Sequence, residues 1–232
     1  MSWLHRNLGR DGASQQAIDG ENFAGRVSQR PQAIGASGAA YSLNVQSGIM
    51  AAGLAANAEI FSARWTSPTK LLLLRSLQLS VARDTTAFAA GRALFRLTVA
   101  RGYSTDGSGG APVVFSTNNT NKKRVTFPLS SFSDTGVRFS ATAAVTGATK
   151  TFDTNDIGGL TAFISSGATT VPDTFILPPG SILWQRNTGD EHPFTLALNE
   201  GLVVRATVPI TGTWGYTLQM EWSEIVASEV NW

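Results

Sequence analysis

Residues that could do chemistry are few in this chain. It has two histidines, His5 near the N-terminus and His192 within NTGDEHPF, and no cysteine. Without thiols, neither disulfides nor thiolate metal sites are available. Two histidines so far apart do not supply the clustered imidazole and carboxylate ligands of a metal site on a β scaffold. A nucleophilic triad would have to use one of them, and no G-x-S-x-G elbow is present. Asp190 and Glu191 lie beside His192, but Gly189 and Pro193 around them are loop chemistry.

The carboxylates Asp134, Asp153, Asp156, Asp190 and Glu200 fall in or beside expected loops. Two of them at the right separation would suit glycoside hydrolysis. In DTG, DTND and GDE, however, aspartate is ordinary turn chemistry, and sequence alone brings no pair together. DTNDIGG (153–159) offers oxygen donors in the manner of a calcium loop at Asp153, Asn155 and Asp156. It departs from the EF-hand pattern at Ile157 and lacks the closing glutamate. No glycine-rich phosphate loop is present. Lys122-Lys123-Arg124 is the best candidate for an anionic partner, but without interleaved aromatics it reads as a solvated loop. Asn118-Asn119-Thr120 matches a glycosylation sequon, which carries no weight without an export signal. We therefore expect no catalytic residue, no cofactor and no metal.

Composition narrows the classes further. The 232 residues are 42% hydrophobic, enough to bury a real core. The net charge of +2, from 18 basic and 16 acidic residues, excludes a strongly basic nucleic-acid platform. Of the basic residues 14 are Arg and 4 are Lys. Arginine suits interfaces through planar, bidentate contacts, although lineage bias gives the same ratio. No window approaches the roughly 18 apolar residues of a membrane helix. MSWLHRNLGRDGASQQ holds no apolar run of signal length, so a soluble product made in a cytoplasm is expected.

Residues 1–40 are rich in Gly, Ala, Ser and Gln and lack a sustained period; they read as an extended arm. Its anchors would be Trp3, Leu4 and Phe23, with Val27, spaced by Arg6, Arg10, Arg26 and Arg30. From residue 41 the chain alternates short apolar runs with turn residues. YSLNVQS (41–47) and EIFSARW (59–65) come first. LLLLRSLQLSVAR (71–83) places Leu71, Leu73, Leu77, Leu79 and Val81 on one parity, which Arg75 interrupts. RALFRLTVAR (92–101) alternates as a strand, although AFAAGRALFRL could start a helix. Short runs follow near 125–129, 136–145, 160–164, 174–177 and 182–186. In EGLVVRATVPITGTWGYTLQMEWSEI (200–225), Leu202, Val204, Ala206 and Val208 share one face, as do Tyr216, Leu218, Met220 and Trp222. Many strands and no long helix imply an all-β fold: a jelly-roll-like antiparallel β-sandwich over 41–226, after the arm and before a short tail at 227–232. An up-and-down barrel is the alternative. Trp222 belongs in the core, whereas Trp65, Trp184, Trp214 and Trp232 are expected at a rim or interface.

The order AEIFSARW (58–65), a Leu-rich strand with Arg75, TTAFAAGRALF (85–95) and LALNEGLVVRATVPITGTWGYTLQMEWSE (196–224) resembles small β-rich virion proteins of tailed bacteriophages. Most like them is N-E-G-L-V-V-R-A-T, followed by T-G-T-W and a strand ending E-W-S-E. The resemblance implies a non-enzymatic head decoration (cement) protein that sits on the capsid as a homotrimer and clamps neighbouring capsomers. Its partners would be the major capsid protein and its own copies, with no nucleic acid and no membrane. Its location would be the virion surface after synthesis in a host cytoplasm. The alternative is a tail or fibre β-domain that binds a host-surface glycan.

Overall fold

The computed structural model describes residues 6–9, 12–15, 39–51, 53–54, 56–84, 86, 89–117, 121–164, 175–186 and 194–227. The chain divides into two units, Met1–Gly35 and Ala36–Trp232. Within the first lies an antiparallel hairpin of β1 (Arg6–Gly9) and β2 (Gly12–Gln15).

The second unit is built from strands alone among its described residues. They are β3 (Ala39–Gln46), β4 (Met50–Ala51), β5 (Ala58–Arg64), β6 (Lys70–Arg83) and β7 (Gly91–Arg101). Next come β8 (Ala111–Pro112), β9 (Val137–Phe139), β10 (Thr151–Phe152) and β11 (Gly158–Ile164). The last are β12 (Phe175–Leu177), β13 (Ile182–Gln185), β14 (Thr195–Leu196), β15 (Gly201–Thr207) and β16 (Thr213–Val226). They form two seven-stranded antiparallel sheets packed as a β-sandwich.

Pairing is nested. β3 pairs with β16, β5 with β15, β6 with the three short strands β12, β13 and β14, and β7 with β10 and β11. β16 also pairs with β6, and β15 with β7. The first sheet therefore runs β3, β16, β6, then the segmented edge; the second runs β5, β15, β7, β11. Outer strands of the sequence pair with each other, and β3, β5, β6 and β7 alternate between sheets. That is the jelly-roll arrangement. β9 and β8 extend the second sheet beyond β5.

Alternation dictates the core. Trp214, Tyr216, Leu218, Met220 and Trp222 of β16 point inward and meet Leu202, Val204 and Ala206 of β15. AFAAGRALFRL does not start a helix: Ala93, Phe95, Leu97 and Val99 line the inner face of strand β7. The Leu-rich strand departs from simple parity. Glu221 pairs with Ser76 but Trp222 pairs with Leu74, so Arg75 is an extra residue in β6. A one-residue bulge moves every later side chain to the opposite parity. Leu72 and Leu74, rather than Leu71 and Leu73, therefore share the inner face with Leu77, Leu79 and Val81. The apolar run near 125–129 forms no strand, and Val125 is exposed.

The two open sides of the sandwich are closed differently. On one side, the long connection between β7 and β11 crosses from sheet to sheet. Its residues Asn121 and Lys123 bond the backbone of β3 at Ser42 and Ala40, while β9 pairs with β5. Phe115 and Phe132 plug the gap between them against Trp65 and Trp222. Beneath this plug the Glu224 carboxylate is fully buried. It accepts hydrogen bonds from the Ser130 hydroxyl (2.7 Å), the Ser131 amide (2.9 Å) and the Ser131 hydroxyl (2.7 Å), with Lys70 Nζ at 3.4 Å.

On the other side, β11 and β13 come so close that a Cβ on Gly158 would lie 2.1 Å from the Leu183 carbonyl oxygen. Gly158→Ala should therefore cost about 1–3 kcal/mol through overpacking. Gly159→Ala, whose Cβ would meet only the Phe95 carbonyl oxygen at 3.5 Å, should stay within about 0.5 kcal/mol of the parent. Urea unfolding of both variants checks this; equal stabilities would refute the close approach. Glu224→Ala, which strands the donors of Ser130 and Ser131, should lose on the order of 3 kcal/mol in the same measurement.

Candidate functional site

The two outer faces differ in chemistry. On the first sheet, side chains opposite the core form rows of amides and hydroxyls: Gln46, Thr217 and Ser80, then Asn44, Gln219 and Gln78. Only Glu221 in the following row is charged, and Lys123 pairs with it at 2.7 Å. The charge of the fold is concentrated on the second sheet.

There the β5 bulge sets the register. Phe61 pairs with Val204 and Glu59 with Arg205, leaving Ile60 as the extra residue, so both Ile60 and Phe61 are buried. The Tyr216 hydroxyl crosses the core to the bulge, donating to the Ile60 carbonyl (2.6 Å) and accepting from the Ser140 amide (3.0 Å). Burial pushes the phenol well above its usual range, so it stays a donor. Beyond the bulge, Glu59, Arg205 and Arg96 stand in one outward row.

Three clusters occupy this outer face. Arg64 donates to the Tyr103 carbonyl (2.6 Å), Asp106 Oδ1 (2.7 Å) and Asn199 Oδ1 (3.0 Å), tying three loops together. Arg101 bridges Asp153 (3.1 Å) and Glu200. Arg205 donates to the Thr98 hydroxyl (3.0 Å) and to Asp156 Oδ1 (2.8 Å), and its guanidinium lies 4.8 Å from the Phe152 ring centroid. Lys150 packs beneath them, 2.6 Å from Glu59 and 4.7 Å from the Tyr103 ring centroid.

The carboxylates singled out by sequence are thereby placed. Asp153 and Glu200 meet, but around one guanidinium that engages both. Asp134 accepts from the Phe115 and Ser116 amides and the Ser116 hydroxyl, and so shapes a turn. Asp156 serves Arg205 and Thr98. Asp190 and His192 lie outside the described residues. Among the described residues no group of three His, Asp or Glu could hold a metal ion.

Two of the expected interface tryptophans are corrected. Trp65 and Trp214 are completely buried: Trp65 Nε1 donates to the Lys70 carbonyl (2.7 Å) and packs edge-on to Phe132, while Trp214 packs against Phe95 and Tyr216. Each sits at a strand end where inward alternation still holds, so neither offers surface. Trp184 is half-buried beside Phe194. Trp3, Leu4, Arg10, Phe23, Arg26, Arg30 and Trp232 lie outside the described residues, and Arg6 is described only as backbone in β1. Compared with known proteins, the chain matches no family model, no curated protein and no solved structure. Function must therefore be argued from this geometry.

Sequence reasoning missed Arg64, Arg101 and Arg205 as organisers of the outer face. Their signal was the arginine excess together with strand parity: Arg205 alternates against Val204 and Ala206. A depression of about 610 Å³ lies beside the Arg205 cluster, lined by Arg92, Leu94, Arg96, Asp156, Gly159 and Thr161 among others.

Partial burial pushes the Asp106 and Asp156 carboxyls up, but hydrogen bonds and neighbouring guanidiniums outweigh it and hold both below the usual carboxylate range. Hydrogen bonds from the Ser116 hydroxyl and the Ser116 and Phe115 amides hold Asp134 low as well. Folded values below unfolded ones give stability that is full above the unfolded pKa and lost as pH falls through the folded values. Stability should thus hold from neutral pH to about 5 and fall steeply below about 4. Asp156→Asn removes one of these contributions, so its urea midpoint should drop less between those pH values. An unchanged drop would refute the role given to Asp156.

Proposed function

We propose that the chain is a non-enzymatic virion structural protein, a capsid decoration protein that binds the outer shell as an oligomer and clamps neighbouring capsomers. One observation carries this reading: a jelly roll closed on both sides by its own segments, joined to a separate N-terminal unit of 35 residues. A domain so closed is a rigid body suited to holding positions. The resemblance read in the stretches 58–65, 85–95 and 196–224 is in keeping with the same reading. The N-terminal unit, with its tryptophan, phenylalanine and arginines, is the part suited to running along a shell. Each weak contact of an oligomer is multiplied by the effective concentration of a protomer already docked.

The test is addition of the purified chain to bare capsids of the phage whose virions carry it. Binding with a raised capsid disruption temperature is expected, and its absence overturns the reading. Removal of residues 1–35 should weaken capsid affinity at least about tenfold through lost multivalency. Unchanged affinity would assign the clamp to the jelly roll alone.

A further inference from the structure

β7 sends Ala93, Phe95 and Leu97 into the core and Arg92, Leu94 and Arg96 outward. Across the register with β11, Arg92 faces Phe163, Leu94 faces Thr161 and Arg96 faces Gly159. On the other flank Arg205 stands beside Arg96. This row pattern builds the 610 Å³ depression, and four of its features point to a ligand.

The first is Gly159. It lies inside a strand, where glycine weakens pairing, and the space above it is open: its Cβ would meet one backbone oxygen at ordinary contact distance. Glycine in such a place often marks close approach of a ligand. The second is unspent donors. Arg92 is exposed and has no partner among the described residues. Arg96 reaches only to 3.8 Å from Asp156 Oδ2, beyond hydrogen-bond distance, with its side chain 40% exposed. Elsewhere on this face, Arg64, Arg101 and Arg205 are all engaged.

The third is an acceptor within the same walls. Asp156 Oδ1 is taken by Thr98 and Arg205, whereas Oδ2 accepts no hydrogen bond among the described residues. The fourth is an apolar platform at its edge: Phe163, outside the lining but paired across from Arg92, is 75% exposed, and half-buried Leu94 contributes to the lining.

Two guanidiniums in the lining, Arg92 and Arg96, with Arg205 beside Arg96, outweigh one carboxylate and favour an anion. A carboxylate inside the site, however, opposes a polyphosphate chain and favours a ligand that also carries hydroxyl donors. Arginine matches a carboxylate through paired N–H donors. An apolar ring face suits Phe163. We propose that this depression binds a carboxylate-bearing saccharide. Arg92 and Arg96 take the carboxylate, Asp156 Oδ2 and Thr161 take ring hydroxyls, and Phe163 packs against the apolar face of the sugar. The site is independent of capsid binding, and either can fail without the other.

The test is calorimetric titration of the full chain with three probes: an oligogalacturonate, a sialylated oligosaccharide and a neutral galactose oligomer. Inorganic phosphate serves as competitor. Saturable binding of one or both acidic sugars is expected, with the neutral oligomer at least tenfold weaker. The two acidic arms show whether a uronic or a sialic acid is the better source. Arg92→Ala and Gly159→Val should each weaken binding at least tenfold while thermal unfolding confirms an intact fold. If Gly159→Val lowers the melting temperature, Arg92→Ala at the exposed rim decides alone. No binding, equal binding of the neutral oligomer, unchanged affinity in Arg92→Ala, or full displacement by equimolar phosphate each overturns the proposal.

Discussion

The second unit depends on one buried carboxylate. Glu224 lies at the end of the longest inward run of β16, where a charge taken out of water would be costly alone. Its cost is met by Ser130, Ser131 and Lys70, and Trp222 Nε1 adds a further donor at 3.4 Å. Three of these partners lie on the long connection or at the start of β6, so the carboxylate fixes where that connection crosses the sandwich. A hydrophobic residue there could bury area equally well, but it would not select one position for the 130–132 segment. The Phe115 and Phe132 rings are consequently held against Trp222, and the Tyr41 hydroxyl reaches the Pro128 and Leu129 carbonyls. A buried ion pair replaced by apolar groups often costs no net stability, and in some proteins it serves to select one arrangement, which is the use given to Glu224 here.

Closure on the opposite side uses the reverse means. Gly158 removes a side chain so that β11 and β13 meet backbone to backbone. A sandwich with open flanks presents unpaired strand edges, which invite pairing with other chains. Here one flank is covered by a plugged connection and the other is narrowed by a glycine. Among the described residues of this unit, the two outer faces remain open to partners. One is mainly amides and hydroxyls across three strands, with the Glu221–Lys123 pair beside them; the other is organised by arginines.

Strand parity made most of the core legible. The inward sets of β15, β16, β7 and β3 follow directly from alternation, because each of those stretches keeps one register. Parity failed where a bulge intervened. Arg75 was visible as an interruption, but only the pairing of Ser76 with Glu221 and Leu74 with Trp222 shows it as an inserted residue that reverses the leucines before it. Trp65 and Trp214 were misplaced for a related reason: position at a strand end was given more weight than the parity that carries the ring inward. The carboxylates were legible as turn residues, and Asp134 acts as one. The partnership of Asp153 with Glu200 joins residues 47 positions apart through a third, Arg101, and no local pattern encodes it.

The arginine excess is the clearest case of a signal whose meaning needed geometry. Arg64, Arg101 and Arg205 together hold six side-chain partners and one backbone carbonyl. Their planar, multi-donor heads satisfy loop carbonyls and carboxylates that a lysine could meet only one or two at a time. These three arginines are therefore accounted for by folding, without appeal to an interface. That conclusion sharpens the exceptions. A guanidinium without a partner forgoes hydrogen bonds of the kind that Arg64, Arg101 and Arg205 make on the same face. Arg92 does so on the rim of a depression whose floor is a bare glycine. Where a residue type is otherwise used to complete the fold, a copy that folding leaves unused on the wall of a depression is available to a ligand.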